Sequence, residues 1–371
     1  MNYFKDLLKN LDGWLVVMPL SFCAISILML ESTAYDGSFV LNRTIKVQIA
    51  AYAIGLVCLL AAMAFNYTKF EKVHWWIYGA SLLFLLTVYI PGLGSTQYGS
   101  RAWLHLGPVY LQPAEIVKLT FTLCYANFLS RHQDALKTWK GFFVSIAYVL
   151  PFLFVIIVLQ NDLGNALVLL VAAIFMLFAA GLRGAIFWTA AGSMAAAVPL
   201  AVHFLLRDHQ KERITAFLHP EDLTLAGNYQ VWNSKVAIGS GGLLGKGLFQ
   251  GTQKTLKYLP VADSDFIFSV ICEEFGFVGG AAVIALYAFF LSRIFRVSKN
   301  AKDLYGSLIV IGLFGMFLFQ VFENIGMTMG LMPVTGITLP FISSGGTSIL
   351  TNMIAVGLVL NVNIRSKAIN F

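Results

Sequence analysis

The sequence predicts an all-α membrane protein with about ten transmembrane helices. Of its 371 residues, 58% are hydrophobic and only 12% are charged, and the mean hydropathy is +0.77. A water-soluble domain of this length could not bury so many apolar side chains. We therefore expect residues 1–371 to form a single polytopic transmembrane domain.

Ten successive apolar runs have about the length needed to cross a bilayer as a helix. They cover residues 14–30, 47–65, 75–90, 116–129, 142–159, 167–181, 185–206, 266–292, 308–325 and 347–362. The longest connection, residues 207–264, lies between helices 7 and 8 of this series. We expect it to form a large loop on one side of the membrane.

The basic residues of the short connections predict that both termini are cytoplasmic. With this orientation the inside segments carry 14 Lys and Arg residues, whereas the short outside segments carry only Arg43, Lys46 and Arg101. Such a bias is typical of cytoplasmic loops. It places the long loop outside, and it accounts for most of the net charge of +7 without nucleic acid as a partner.

Four polar segments fall on the outside in this topology. They are residues 98–119, 159–166, 207–265 and 330–348, and each has Gly, Pro or polar residues at membrane depth. Irregular backbone is tolerated there only where it is buried in protein or lines a wet cavity. One shared extracytoplasmic cavity is the simplest interpretation.

Several sequence blocks resemble those of the SEDS family, which contains RodA, FtsW and SpoVE. In chain order they are "GSRAWLHLGPVYLQPAEIVKL" from Gly99, "QNDLGNA" from Gln160, "RITAFLHP" from Arg213, "LPVADSDFIFSVICEEFG" from Leu259 and "NIGMTMGLMPVTGITLPFISSGGTS" from Asn324. The resemblance covers nearly the whole chain. The short N-terminus and short length favour the RodA branch.

This resemblance implies a peptidoglycan glycosyltransferase of the bacterial cytoplasmic membrane. Such an enzyme polymerises lipid II on the outer side of the membrane, here for cell elongation and shape. The implied partners are lipid II, a class B penicillin-binding protein and membrane lipids. The sequence departs from the family pattern at Asn161, Asn233, Val261 and Ser344, so polar contacts near these positions are expected to differ.

Asp265 is the candidate general base, because it matches the essential aspartate of the family. Joining two sugars requires a base for the attacking hydroxyl and positive charge for the departing diphosphate. Asp265 enters the eighth run at the membrane surface, where a lipid-tethered substrate holds its sugars. From the residues alone, a helix cap is an equally good interpretation. Asp263 is expected to be a solvated loop residue.

The remaining acids have two interpretations each. Glu273 and Glu274, about 12 Å deeper along a helix, are expected to anchor neighbouring helices, with direct catalysis as the alternative. Glu115 and Lys118 have the spacing of a pair on one helix face, or they line the cavity and help to bind the substrate. Asp162 either caps a helix or contacts the substrate, as the resemblance implies.

Positive charge for the diphosphate has several candidates outside. Arg101 and Arg213 lie in the matched blocks and rank first, and Lys246 and Ser343 are further candidates for substrate binding. Other basic residues of the same loop are Lys235, Lys254 and Lys257. The glycine-rich stretch from Gly239 to Gly251 either brings backbone amides to phosphate or forms a re-entrant segment.

The sequence identifies no certain cofactor, and a divalent cation is the one candidate. Mg²⁺ or Mn²⁺ prefers oxygen ligands and substrate phosphates, so an ion bridging the diphosphate and Asp265 or Asp162 is chemically reasonable. The alternative function is a lipid II flippase, because many spans and intramembrane carboxylates are also typical of transporters. The clustering of polar segments on one side favours the enzyme.

Overall fold

The described part of the chain is a bundle of long helices with short elements gathered at one end. In the computed structural model it comprises residues 11–35, 38, 41–97, 99–107, 109–204, 208–225, 227–256 and 258–366. The long helices are α1 (Gly13–Ala34), α2 (Arg43–Ala64), α3 (Phe70–Leu86), α4 (Pro113–Arg131), α5 (Trp139–Phe154), α6 (Leu163–Ala179), α7 (Gly184–Phe204), α11 (Ile267–Lys299), α12 (Leu304–Thr328) and α13 (Gly346–Ser366). Each predicted apolar run overlaps one of them.

Membrane-spanning character is confirmed for the bundle in general terms. Among the residues that the structure describes, six helical segments are long and apolar enough to cross a membrane, namely α1, α2, α5 with the π-helical turn Val155–Leu159 that follows it, α11, α12 and α13. Helix α6 is apolar but shorter. Length and composition therefore leave the count of about ten spans, the outer position of the loop and the cytoplasmic termini as predictions.

Helices α12 and α13 form the centre of the bundle. Of the most apolar window of α13, 89% is buried inside the protein, against 28% for α2, which faces outward. Helices α2 and α13 nevertheless pack with their backbones in close contact, since a Cβ on Gly357 of α13 would lie 2.6 Å from the carbonyl oxygen of Leu59 of α2. Small residues at helix contacts are typical of membrane bundles.

The predicted all-α class describes most of the fold, but residues 94–111 form a small sheet. Strands β1 (Gly94–Gln97), β2 (Ser100–Leu106) and β3 (Val109–Leu111) are antiparallel in the order β1-β2-β3. Gly99 and Gly107 have φ of +81° and +62° in the two tight turns, a conformation that suits hairpins. Strands this short give no signal in a search for membrane-length apolar runs.

The long connection between α7 and α11 is helical over nearly half of its length. It contains α8 (Asp208–Leu218), α9 (Asn228–Ser240) and the single turn α10 (Thr252–Thr255). Lys257, a candidate cation from the sequence, lies outside the described residues. We call the end of the bundle that carries the sheet, α8–α10 and residues 330–345 the site end.

Helix α11 is broken at Gly276, where φ is 66° and ψ is −162°. The break leaves peptide groups without helical partners, and the glycine-rich stretch supplies them. Lys246 N donates to Glu273 O at 3.0 Å, and Phe277 N donates to Gly242 O at 2.8 Å. A Cβ on Gly245 would lie 2.1 Å from the Glu274 carbonyl oxygen. These glycines therefore serve close contact with α11, as the re-entrant interpretation requires.

Candidate functional site

Asp265 lies in the turn that precedes α11 at the site end. Its side chain is half-buried, and its Oδ1 accepts a hydrogen bond from Ser264 Oγ at 3.1 Å. Its main-chain carbonyl accepts from Asn324 Nδ2 at 2.9 Å, and Oδ2 lies beside Gly336. The start of α11 has no side-chain cap. The helix-cap interpretation of Asp265 is therefore wrong.

The environment of Asp265 suits a base. Burial raises the pKa of its carboxyl group to about 6; the Ser264 hydrogen bond and the positive charge of Arg213 lower that pKa, whereas the negative charge of Asp263 raises it. A carboxylate with this pKa is largely ionised at neutral pH yet binds a proton more tightly than an ordinary aspartate. Such a match between pKa and working pH favours general base catalysis.

Two serines tie the turn of Asp265 to the segment before α13. Ser343 Oγ donates to Ser264 O at 2.5 Å and accepts from Leu339 N at 2.9 Å. Ser344 Oγ donates to Asp263 Oδ2 at 3.0 Å. The expectation of a solvated Asp263 was wrong, because this residue is half-buried and bonded. Ser343 is fully buried and holds backbone, so its role in substrate binding stays a prediction.

A groove with two cationic side chains opens next to this turn. It has an empty volume of about 370 Å³, and its lining includes Arg213, Asn228, Lys235, Gly330 and Val334. Arg213 Nη1 donates to the carbonyl oxygens of Val334 and Thr335 at 3.3 and 3.4 Å. Lys235 Nζ lies against Gly330 and, among the described residues, has neither a hydrogen bond nor an ion pair.

A further acid, Glu323, was missed in the sequence. It lies on α12, is 1% exposed, and its Oε1 accepts a hydrogen bond from Thr335 Oγ1, while Oε2 has no partner among the described residues. A carboxylate inside an apolar span is itself a signal of function. We call Arg213, Lys235, Asp265 and Glu323 the open cluster.

Lys246 and Lys254 are instead held by the two deep glutamates of α11. Lys246 Nζ lies 2.6 Å from Glu273 Oε1, and Lys254 Nζ pairs with Glu274 Oε1. Ser32 of α1 also donates to Glu274 Oε1, at 2.6 Å. The prediction that the glutamates are anchors is confirmed. We call these five residues the paired cluster; it makes no contact with Asp265 in the described structure, so substrate binding by Lys246 stays a prediction.

Glu115 and Lys118 form the predicted pair on α4. The distance from Lys118 Nζ to Glu115 Oε1 is 2.7 Å, and both residues are buried. The ion pair neutralises both charges inside the bundle, where an isolated charge would be costly. The structural interpretation is therefore confirmed, and a contact with substrate stays a prediction.

Arg101 and Asp162 support the junction between the sheet and the helices. The Arg101 guanidinium lies over the Tyr89 ring at 4.9 Å, and its Nε donates to Val88 O at 3.2 Å. Asp162 caps α6 by accepting from Asn165 N at 3.0 Å. The cap interpretation of Asp162 is confirmed. Binding of substrate by either residue stays a prediction.

The donor set for a metal ion is small. The residues that the structure describes contain no group of three or more His, Cys, Asp or Glu side chains able to hold one. Mg²⁺ commonly uses one or two carboxylates together with substrate phosphates. The side chains near Asp265 would therefore fit an ion only together with the diphosphate, and the divalent cation stays a prediction.

Sequence comparisons place the chain among cell-wall proteins. It matches the family described as cell cycle protein, which comprises FtsW, RodA and SpoVE, over residues 11–368. Stage V sporulation protein E of Bacillus subtilis is 36% identical over 364 residues, which are 96% of this chain and 98% of that protein. Peptidoglycan glycosyltransferase MrdB of Escherichia coli K12 is 33% identical over 364 residues, 97% of this chain and 95% of that protein.

Solved structures agree with these matches. A chain from a study titled "Structural coordination of polymerization and crosslinking by a peptidoglycan synthase complex" superposes with a TM-score of 0.82 at 31% identity, covering 96% of this chain and 98% of that one. Rod shape determining protein RodA of Thermus thermophilus gives a TM-score of 0.69 at 29% identity, covering 95% and 96%. The chain therefore belongs to the family of cell cycle proteins that comprises FtsW, RodA and SpoVE.

Proposed function

We propose that this protein is a peptidoglycan glycosyltransferase that polymerises lipid II, with Asp265 as its general base. The observation that carries the proposal is the open cluster: the carboxyl group of Asp265, with a pKa of about 6, is close enough to Arg213 to be affected by its charge, and Arg213 and Lys235 line a groove. Relatives named peptidoglycan glycosyltransferase, at 33–34% identity over nearly the whole chain, support the same activity.

The reaction follows from this arrangement. The hydroxyl oxygen of the acceptor sugar attacks the anomeric carbon of the donor, and its proton passes to the Asp265 carboxylate. The bond between that carbon and the diphosphate oxygen breaks, and the diphosphate leaves with the electron pair. Arg213 and Lys235 balance the charge that grows on the leaving oxygens. Lys235 has no competing partner in the described structure, so it is free to do so.

The proposed topology has all ten long helices in the membrane, both termini in the cytoplasm and the site end outside. A substrate tethered by a polyprenyl chain then holds its sugars at the level of Asp265. Labelling tests this arrangement: a cysteine in place of Glu221, whose side chain is 73% exposed between α8 and α9 at the site end, should react with an impermeant reagent in intact cells. One in place of Gln133, exposed at the opposite end, should not; the reverse pattern contradicts the topology.

The proposed cellular role is elongation with a class B penicillin-binding protein. The solved neighbour from a peptidoglycan synthase complex supports a partner of this kind. The flippase alternative is not favoured, since relatives at this identity are named as glycosyltransferases. A transporter would also be expected to place its substrate groups near the midplane, whereas the open cluster lies at the site end.

Purified protein and lipid II provide the direct test. We expect glycan polymer from the wild-type chain, more polymer when a class B penicillin-binding protein is added, and none above background from Asp265→Asn. Normal polymerisation by Asp265→Asn would contradict the base assignment. Transbilayer movement of lipid II in vesicles without any polymer would support the flippase instead.

A further inference from the structure

Glu323 is the buried acid of the site that the proposed reaction does not use. It lies on α12 with 1% of its surface exposed, and no cation pairs with it among the described residues. This distinguishes it from Glu273 and Glu274, which each hold a lysine. A buried carboxylate with an unpaired oxygen lowers stability. The presence of Glu323 therefore calls for a role that offsets this cost.

The hydrogen bonds of Glu323 lead to the cation of the groove. Its Oε1 accepts from Thr335 Oγ1, and the Thr335 carbonyl accepts from Arg213 Nη1 at 3.4 Å. The guanidinium takes a second bond, at 3.3 Å, to the Val334 carbonyl. The position of the Arg213 guanidinium is thus set by the segment that Glu323 holds.

The next residue of α12 holds the other side of the site. Asn324 Nδ2 donates to the main-chain carbonyl of Asp265 and to that of Ile337, both at 2.9 Å. Two consecutive side chains of α12 therefore hold residues 335–337. Asn324 also contacts Asp265, and Glu323 contacts Thr335, whose carbonyl binds Arg213. Reacting groups must be held within fractions of an ångström for fast group transfer.

We propose that Glu323 is a positioning residue, which fixes Thr335 and thereby holds the Arg213 guanidinium in the groove where the diphosphate of the substrate would bind. The proposal rests on the proposed function, since it assigns the leaving diphosphate to Arg213. Glu323 acts through Thr335, so the hydrogen bond matters and the charge of the carboxylate does not.

Three variants separate the hydrogen bond from the charge. Glu323→Ala removes both, Thr335→Val removes the hydrogen bond alone, and Glu323→Gln keeps an oxygen that accepts from Thr335. The matched control is Thr328→Val on the same helix: Thr328 is equally buried, but its hydroxyl donates only to Ile325 O and has no path to Arg213.

The first measurement is binding of undecaprenyl diphosphate in detergent, with undecaprenol as the uncharged comparison. We expect Glu323→Ala and Thr335→Val to bind the diphosphate about tenfold more weakly, the scale of one hydrogen bond at a charged group. The double variant should be no weaker than either single one, and Glu323→Gln and Thr328→Val should stay within about twofold of wild type by the same scale. Binding of undecaprenol should not change.

The second measurement is polymerisation of lipid II, where KM should rise with the weaker binding and kcat should fall less. Thermal unfolding of each variant identifies a chain that has lost its fold, and Glu323→Gln then decides alone, because it is isosteric. The proposal is overturned if Glu323→Gln binds as weakly as Glu323→Ala, or if Thr335→Val binds like wild type. A wild-type chain that binds both lipids equally refutes the diphosphate site of the proposed function itself.

Discussion

Two groups of charges flank the part of α11 that precedes Gly276, and they differ in whether the protein itself satisfies them. In the paired cluster, Lys246 and Lys254 each lie on a glutamate oxygen, and Glu273 accepts further bonds from Thr252 and Gln253 backbone amides. In the open cluster, Lys235 and Asp265 form no ion pair within the described residues. The basic residues of both groups come from the same connection, between α7 and α11.

The difference distinguishes charges that stabilise the fold from charges that serve a substrate. Buried charges that only hold the fold must be neutralised by the protein, because an unpaired charge costs several kcal/mol. Charges that serve a charged substrate stay incomplete until it arrives, and such perturbed groups mark functional sites. Damage to the open cluster should therefore change activity or substrate binding more than stability, and damage to the paired cluster should lower stability.

Asp265→Asn should have the largest effect on activity. The amide keeps the size of the carboxylate but cannot accept the proton of the attacking hydroxyl, so polymerisation should fall by about 10² to 10⁴. The melting temperature and the affinity for lipid II should be close to wild type. Glycan synthesis, thermal unfolding and lipid II binding measured on one preparation test this; a collapsed melting temperature would move Asp265 into the structural class.

Glu274→Ala should have the largest effect on stability. It leaves the ammonium of Lys254 buried without a counter-charge, which typically costs about 3–5 kcal/mol. The double variant Glu274→Ala/Lys254→Met removes both charges and should recover most of the loss. Unfolding in graded denaturant measures both. Equal damage in the single and double variants would mean that the pair does not act as a unit.

Arg213→Ala should raise KM for lipid II about ten- to hundredfold, the scale of a bond to a charged group, with little change in unfolding. The control Lys211→Ala removes a basic residue of the same helix that does not line the groove. It should leave KM unchanged. An equal loss in both variants would indicate general attraction of the lipid by positive charge rather than a site.

The pH profile should report the titration of Asp265. Because the base must be ionised, the rate should fall about tenfold per pH unit on the acid side of its pKa of about 6. Arg213 lowers this pKa and Asp263 raises it, so Arg213→Ala should move the acid limb to higher pH and Asp263→Asn to lower pH. Rates measured from pH 5 to 8 test both signs, and shifts in a common direction would contradict the assignment.

The smallest expected effect is the pH dependence of the melting temperature of Asp265→Asn. The folded pKa of Asp265, about 6, exceeds the ordinary value of 3.8, so ionisation destabilises the fold as pH rises from 3.8 through 6. Asp265→Asn escapes this cost. Its melting temperature should match wild type near pH 4 and exceed it by about 2 °C above pH 7. A constant difference across this range would contradict the raised pKa.

The sequence predicted the long helices and drew attention to Asp265 because both have local signals. Apolar runs mark helices directly, and Asp265 lies in a block of recognisable residues. The pairing of Lys246 with Glu273 joins positions 27 apart, and nothing local distinguishes that lysine from Lys235, which stays open. Glu323 carried a signal, since it is a carboxylate in an apolar run. Its partner Thr335 lies beyond the end of α12, and only the folded chain brings the two side chains together.

The break at Gly276 has a consequence for how the protein is assembled in its membrane. The segment before the break, Ile267–Phe275, is nine residues long and carries two carboxylates. Each charge at the centre of an inserting helix costs about 2.5–3.5 kcal/mol. The segment after the break, Phe277–Lys299, is uninterrupted and can enter the bilayer without a partner segment. We expect the segment before the break to reach its final depth only when the preceding connection has brought Lys246 and Lys254 to its glutamates. Asp265 lies just before the same segment, so we expect its surroundings to be completed after insertion rather than during it.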